Sequence, residues 1–221
     1  MCSPRELSMK NWFVIPARKG SKGLIFKNRK LLEHTLDIIP DSEYENTIVT
    51  SDDEKIIKAV QNTKIRSLFR DSSIAQDETP IKNVMADVIK KNNMKEADTI
   101  TMLYLTYPQR CWNNIQDALS FFKETKSDSL LCSKSVDTHP FLCMYDLGDN
   151  KGKQIITHDL YRRQDYPKCF EISHFICIFK VNELNNLNKN MYNDNTIFFP
   201  IDYVVDVDTQ KDFDKVVKKN D

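Results

Sequence analysis

Residues 12–23 read Trp-Phe-Val-Ile-Pro-Ala-Arg-Lys-Gly-Ser-Lys-Gly, an apolar run that turns abruptly into a basic, glycine-bearing loop. The chain holds only four glycines in 221 residues, and Gly20 and Gly23 are two of them, interleaved with Arg18, Lys19, Ser21 and Lys22. A short unbroken apolar run fits a strand buried on both faces, as in parallel sheets. A loop of freed backbone N–H groups and cations behind such a strand suits a polyphosphate. Two standard phosphate motifs are absent: Lys22 precedes Gly23, which breaks the P-loop spacing, and no G-x-G-x-x-G occurs.

Outward from this point the chain alternates. "NTIVTS" (46–51), "IRSLF" (65–69), "TITMLYL" (99–105) and "DSLLCSK" (128–134) read as strands. Between them lie helical stretches at 52–62, 79–93 and 112–125. The first carries acidic Asp52 and Asp53 at its start, where the helix dipole favours them. The second opens Thr79-Pro80, a cap followed by a first-turn proline, and places apolar residues at 81, 84, 85, 88 and 89. Strands alternating with helices of this length predict an α/β fold: a doubly wound, Rossmann-like, mostly parallel sheet flanked by helices. From about residue 139 the pattern changes to strand-like runs, "FLCMYDLGDNKGKQ", "FICIFK", "TIFFPI" and "YVVDVD", before a closing helix in "TQKDFDKVVKKN". One domain over 1–221 is expected, with an extra β-rich arm for dimerisation at about 139–180.

Bulk composition narrows the partners. Lys+Arg and Asp+Glu number 32 each, so nothing global favours nucleic acid or an anionic membrane, and anion binding must be local. Six scattered cysteines without a C-x-x-C pair argue against zinc and disulfides. No run approaches a membrane span, and a reduced, cytoplasmic setting is expected. In a doubly wound sheet ligands bind beyond the carboxyl ends of strands. Arg18–Asn28, Ser51–Asp53, Arg70–Asp77 and Thr106–Arg110 all follow strands, and Asp206 and Asp208 stand at the end of the last. Spaced by two on a strand, Asp206 and Asp208 point to one side and suit a hard cation such as Mg²⁺. The alternative is a pair of turn or cap carboxylates opening the closing helix.

Six ordered stretches carry a resemblance: "IPARKGSKGLIFKN", "VTSDDEKIIKAV", "RDSSIAQDETPIKNVMADVI", "MLYLTYPQR", "RRQDYPKCFEIS" and "VVDVDTQKDF". Together they resemble the CMP-sialic acid synthetase family, the acylneuraminate cytidylyltransferases, over nearly the whole chain. The resemblance implies Mg²⁺-dependent (Mn²⁺ as an alternative) transfer of CMP from CTP to the anomeric hydroxyl of a nonulosonic acid, with release of pyrophosphate, by a homodimer. It gives catalytic roles to Arg18, Lys22, Lys27 and Asp208. Arg18, Ser21 and Lys22 would hold the β- and γ-phosphates, Lys27 the α-phosphate, Asn28 the nucleoside and Arg70 the pyrimidine. Backbone around Thr79–Ile81 would read the cytosine amino group. Asp206 and Asp208 would bind the metal. Tyr104, Thr106, Arg110, Arg163, Gln164 and Ser173 would form the sugar-acid pocket, an arginine gripping the carboxylate.

Departures from the family pattern gather in the acceptor half. Its "QPTSP" is here Tyr104-Leu105-Thr106-Tyr107-Pro108, its "NG" is Ser173-His174, and the proline of its "GIP" is Phe26. The pattern implies an acceptor other than ordinary N-acetylneuraminate. His174 either bonds a sugar substituent or is structural. The rival readings are an enzyme for the eight-carbon acid KDO, a non-catalytic nucleotide binder, and a P-loop kinase or GTPase, which the missing motif disfavours.

Overall fold

The computed structural model describes residues 9–20 and 23–217. The main sheet is seven-stranded and ordered β3-β2-β1-β4-β8-β5-β9. Its strands are β1 (Asn11–Pro16), β2 (Thr47–Ser51), β3 (Arg66–Phe69), β4 (Thr99–Met102), β5 (Ser129–Lys134), β8 (Glu171–Lys180) and β9 (Ile197–Pro200). β1 pairs in parallel with β2 and β4, β2 with β3, and β5 with β9. Only β8 runs antiparallel, wedged between β4 and β5. The doubly wound α/β expectation is met.

Alternation along β1 explains the two-sided core. Phe13 and Ile15 point into one cluster, Trp12 and Val14 into the other. The first face is covered by α1 (Lys27–Leu36), α2 (Glu54–Val60), α4 (Trp112–Glu124) and α5 (Gln210–Val217) through Leu31, Ile56, Ile115 and Val216. The second is covered by α3 (Ile81–Lys91) through Val84, Met85 and Val88. Each fully buried aliphatic side chain contributes about 1.5–3 kcal/mol relative to exposure. Cys132 and Cys177 lie in these clusters as small apolar residues.

Between β5 and β8 the chain leaves the main sheet, and this excursion is shorter than the arm expected at about 139–180, because residues 171–180 are β8 itself. β6 (Met144–Asp146) and β7 (Gly152–Gln154) form a separate antiparallel ribbon. The chain therefore re-enters from the carboxyl side of the parallel strands, which is why β8 runs against them. β8 begins at Glu171, earlier than the apolar run "FICIFK" suggests, and this places Ser173 and His174 beside the ends of β4 and β5.

Two expectations are corrected. The segment 203–208, read as a strand, forms none. It crosses the sheet's end in extended form, with the Val207 N–H donating to the Thr106 carbonyl (2.8 Å) and the Val205 N–H to Gln109 Oε1 (3.2 Å). Pairing across strand ends leaves no ladder to build. Residues 79–80 also do not cap α3 as read: Pro80 occupies the cap position, no side chain caps the helix, and Ile81 is its first residue.

Candidate active site

The sheet order reverses between β1 and β4, since β1 is followed on one side by β2 and on the other by β4. Ligands in such sheets sit at this switch point. Here it opens into a cleft of about 390 Å³. Arg18 and Gly20, from the loop after β1, and Lys27 and Asn28, from the first turn of α1, supply one wall. Arg70, Thr79 and Ile81 line the cleft from β3 and the approach to α3, and Tyr104, Thr106 and His174 line the opposite wall. A smaller hollow of about 220 Å³ adjoins it, sharing Tyr104, Thr106 and His174 and adding Tyr107, Asp206 and Asp208. Ser21 and Lys22 lie outside the described residues.

The glycine wall is held by its own polar groups. Asn28 Nδ2 donates to the Arg18 carbonyl (2.8 Å), and the Lys19 N–H donates to Asp52 (2.7 Å). Arg18 forms an ion pair with Asp77 on the loop after β3. Gly23 has a reason that differs from phosphate approach: a Cβ there would collide with the backbone carbonyl oxygen of Asp208. Gly20, by contrast, faces open space. Phe26 stands just before α1 with φ 55°, a left-handed angle that proline's ring forbids, and Arg29 sits over its ring at 4.1 Å. Asp53 caps α2 through the Lys55 N–H and binds Arg29 at 2.5 and 2.9 Å. Burial raises its pKa, but Arg29 and the Lys55 N–H outweigh this and hold it below 3.8. It is a structural carboxylate, and Asp52 supports the loop.

Arg70 is 4% exposed. One guanidinium nitrogen donates to the Thr50 carbonyl (3.1 Å), while its buried Nε has no partner in the protein. Burial lowers its pKa. An unpartnered buried donor on a cleft wall is a group poised for a ligand's acceptor.

Asp206 and Asp208 flank the buried Val207, so their carboxylates face out together although no strand orients them. The Tyr107 hydroxyl donates to Asp206 (2.9 Å), and Lys27 Nζ bonds Asp208 (2.7 Å). Residues 181 positions apart thus meet at the rim. Two outward hard-oxygen donors in one hollow, beside a cationic wall, fit a divalent ion that also binds phosphate oxygens. Among the described residues no group of three or more His, Cys, Asp or Glu side chains could form a cage by itself. Burial pushes the pKa values of Tyr104 and Tyr107 well up, so both stay neutral donors.

Three acceptor-side expectations are placed elsewhere. Arg110 is 2% exposed and lies behind the wall: its guanidinium donates to the carbonyls of Phe175 (2.6 Å) and Tyr104 (2.9 Å), and burial pushes its pKa down to about 10. Ser173 is buried and accepts from the Phe175 N–H (3.3 Å). Arg163 and Gln164 are exposed in a short helical turn of the arm and do not line the cleft. The cleft also receives Gln76 and Asp77, from the Arg70–Asp77 stretch, together with Lys189 and Asn190, which the sequence reading did not single out. Only the asparagine-rich run around 185–195 hinted at a built turn there.

Similarity to known proteins agrees with this geometry. The chain is 27% identical over 218 residues to the post-translational flagellin modification protein B of Campylobacter coli, covering 93% of this chain and 92% of that one. It is 24% identical over 221 residues to the N-acylneuraminate cytidylyltransferase of Streptococcus agalactiae, covering 95% of this chain but spanning 53% of that protein. In three dimensions it resembles a CMP:2-keto-3-deoxy-manno-octonic acid synthetase complexed with CTP, with TM-score 0.67, 16% identity, and coverage of 96% and 98%. The sequence pattern of the cytidylyltransferases matches residues 12–220, and the chain belongs to that family of nucleotidyltransferases.

Proposed function

We propose that the protein transfers CMP from CTP to the anomeric hydroxyl of a nonulosonic acid related to sialic acid, releasing pyrophosphate. The observation that carries this reading is the Lys27–Asp208 contact at 2.7 Å, which sets a phosphate-binding cation against a metal-type carboxylate at the junction of cleft and hollow. CTP would lie along the glycine wall. Arg18, with Ser21 and Lys22, grips the β- and γ-phosphates, and Lys27 neutralises the α-phosphate at which the bond forms. Arg70 offers its unpartnered Nε to the pyrimidine, and backbone at Thr79–Ile81 reads the amino group. Asn28 steadies the loop through Arg18 and contacts the nucleoside.

Asp206 and Asp208 would hold Mg²⁺ (Mn²⁺ as an alternative), which when bound offsets phosphate charge and lowers the pKa of a ligated hydroxyl. Tyr107 orients Asp206 through its hydroxyl. Thr106 contacts the acceptor from the hollow, Tyr104 supplies a neutral donor and a ring face, and Ser173 and Arg110 support that wall from behind. The Arg18–Asp77 and Lys27–Asp208 pairs keep both cations partnered until phosphate arrives.

The segment between β5 and β8, ribbon included, carries exposed Leu142, Met144, Tyr145, Leu147, Ile155, Ile156 and Tyr161. A solvent-facing apolar group of this extent supports a dimerisation arm, and Arg163 and Gln164 then belong to the assembled pocket. Size-exclusion chromatography with light scattering should give twice the chain mass. One nucleotidyltransferase domain spans the chain. No helix among the described residues is long and apolar enough to cross a membrane, and we place the enzyme in the cytoplasm.

The test is pyrophosphate release on mixing protein, Mg²⁺ and CTP, UTP or ATP with N-acetylneuraminate, diamino nonulosonic acids and KDO. Release with CTP and one nonulosonic acid is expected. Release with KDO alone would favour the eight-carbon reading, and release with none would remove the proposal.

A further inference from the structure

The acceptor must bring a carboxylate; of the two arginines that the sequence offered for it, Arg110 is spent on two backbone carbonyls behind the wall, and Arg163 does not line the cleft of its own chain. We propose that Lys189 supplies the missing cation and binds the sugar acid's carboxylate. This rests on the nonulosonic acid reading above.

Lys189 lines the cleft together with Tyr104 and His174, and its neighbour Asn190 is bonded to His174. Arg18 and Lys27 are already committed, to Asp77 and Asp208, and belong to the phosphate wall. Lys189 sits at the tip of a turn that is built rather than loose. The Asn188 side chain accepts from the Asn190 N–H (2.8 Å) and the Tyr192 N–H (3.3 Å). The Asn188 backbone exchanges bonds with Tyr192 (2.9 Å) and Met191 (3.1 Å). Met191 is fully buried and held at φ 66°, an angle a non-glycine residue adopts only when its surroundings fix it.

Two contacts seat this turn against the cleft. Lys82 Nζ donates to the carbonyls of Asn185 (2.8 Å) and Leu187 (2.7 Å), tying it to α3. His174 Nε2 bonds the Asn190 carbonyl (3.0 Å), tying it to β8, and its ring meets Tyr104 edge-on at 5.8 Å. A carbonyl only accepts, so Nε2 carries the proton of this bond. The departure from the family pattern at Ser173-His174 thereby acquires a purpose: His174 is a positioning residue for the turn that presents Lys189. A flexible ammonium on a fixed turn suits a carboxylate whose sugar ring is stacked by Tyr104.

The experiment compares wild type, Lys189→Gln and Lys189→Arg at saturating CTP with the acid that supports turnover, and separately titrates CTP. Lys189→Gln should raise the KM for the acid at least tenfold and leave the KM for CTP within twofold, while Lys189→Arg restores most of the loss. Saturation-transfer NMR with N-acetylneuraminate and with KDO on the CTP-loaded protein should show the binding acid's signal in wild type and its loss in Lys189→Gln. Lys189 is exposed at a turn tip, so the thermal midpoint of the variant should match wild type. An unchanged KM for the acid, or a rise in the KM for CTP instead, overturns the assignment alone. A wild-type protein that neither turns over nor binds any acid overturns the nonulosonic reading and this assignment with it.

Discussion

The two walls of the cleft hold their polar groups in opposite ways. On the glycine wall the cations are paired with carboxylates, Arg18 with Asp77 and Lys27 with Asp208. On the facing wall, backbone carbonyls and buried side chains do the holding: Arg110 clasps Phe175 and Tyr104, and His174 clasps Asn190. The first arrangement suits a polyanion, because incoming phosphate exchanges one anion for another and needs little remodelling. The second suits a sugar, read by shape and a few donors from a wall of aromatic rings. Asp206 and Asp208 stand where the walls meet.

Five substitutions would break or sharpen this contrast. The largest effect belongs to the junction. Asp208→Ala should lower the rate of pyrophosphate release by about 10³-fold while CTP still binds, because in the proposed reaction it removes a carboxylate that would hold the metal. Retained turnover would separate Asp208 from the chemistry.

Gly23→Ala comes next, because the new methyl collides with the Asp208 backbone and displaces the junction as a unit. A loss of about 2–3 kcal/mol in denaturant unfolding, with activity falling in parallel, is the expected outcome. If the glycine served only phosphate approach, stability would be untouched.

Arg18→Ala should raise the KM for CTP about 30-fold through loss of charge-assisted bonds worth about 2 kcal/mol. Asp77→Asn should lower that KM a few-fold by releasing Arg18. Neither should shift the KM for the sugar acid, and a shift there would mean that the walls are not separate.

The last effect lies beneath the loop and reads on stability rather than on activity. Asp53→Asn keeps a cap but loses the charge that binds Arg29, for about 2 kcal/mol at neutral pH. The folded-state pKa of Asp53 lies below 3.8, so its contribution is present above that value and is lost as pH falls through the lower one. The stability gap between wild type and variant, followed by unfolding from pH 7 to pH 2, should therefore narrow only below about pH 4.

Much of the donor wall was legible in the sequence, because it depends on local signals: an apolar strand, then cations and glycines at its end, then a helix. The parallel order was legible too, from alternation alone. The misread places are those where distant contacts decide. Residues 203–208 have strand composition, yet they cross strand ends, where only single bonds such as Val207 to Thr106 can form. Arg110 looked available because sequence does not show that β8 folds over it. Lys189 was missed because a turn tip acquires meaning only when Lys82, His174 and Met191 seat it against the cleft. Gly23 was noticed for the right loop and the wrong neighbour, a backbone 185 positions further along.

The central claim is that donor and acceptor occupy opposite walls joined at Asp206 and Asp208. A crystal structure of the protein soaked with CTP tests it most directly. The account predicts the triphosphate along Arg18 and Lys27, the cytosine against Arg70 and Thr79–Ile81, and the Tyr104–His174 wall left open. A base stacked on Tyr104 and His174, with the glycine wall untouched, would contradict it.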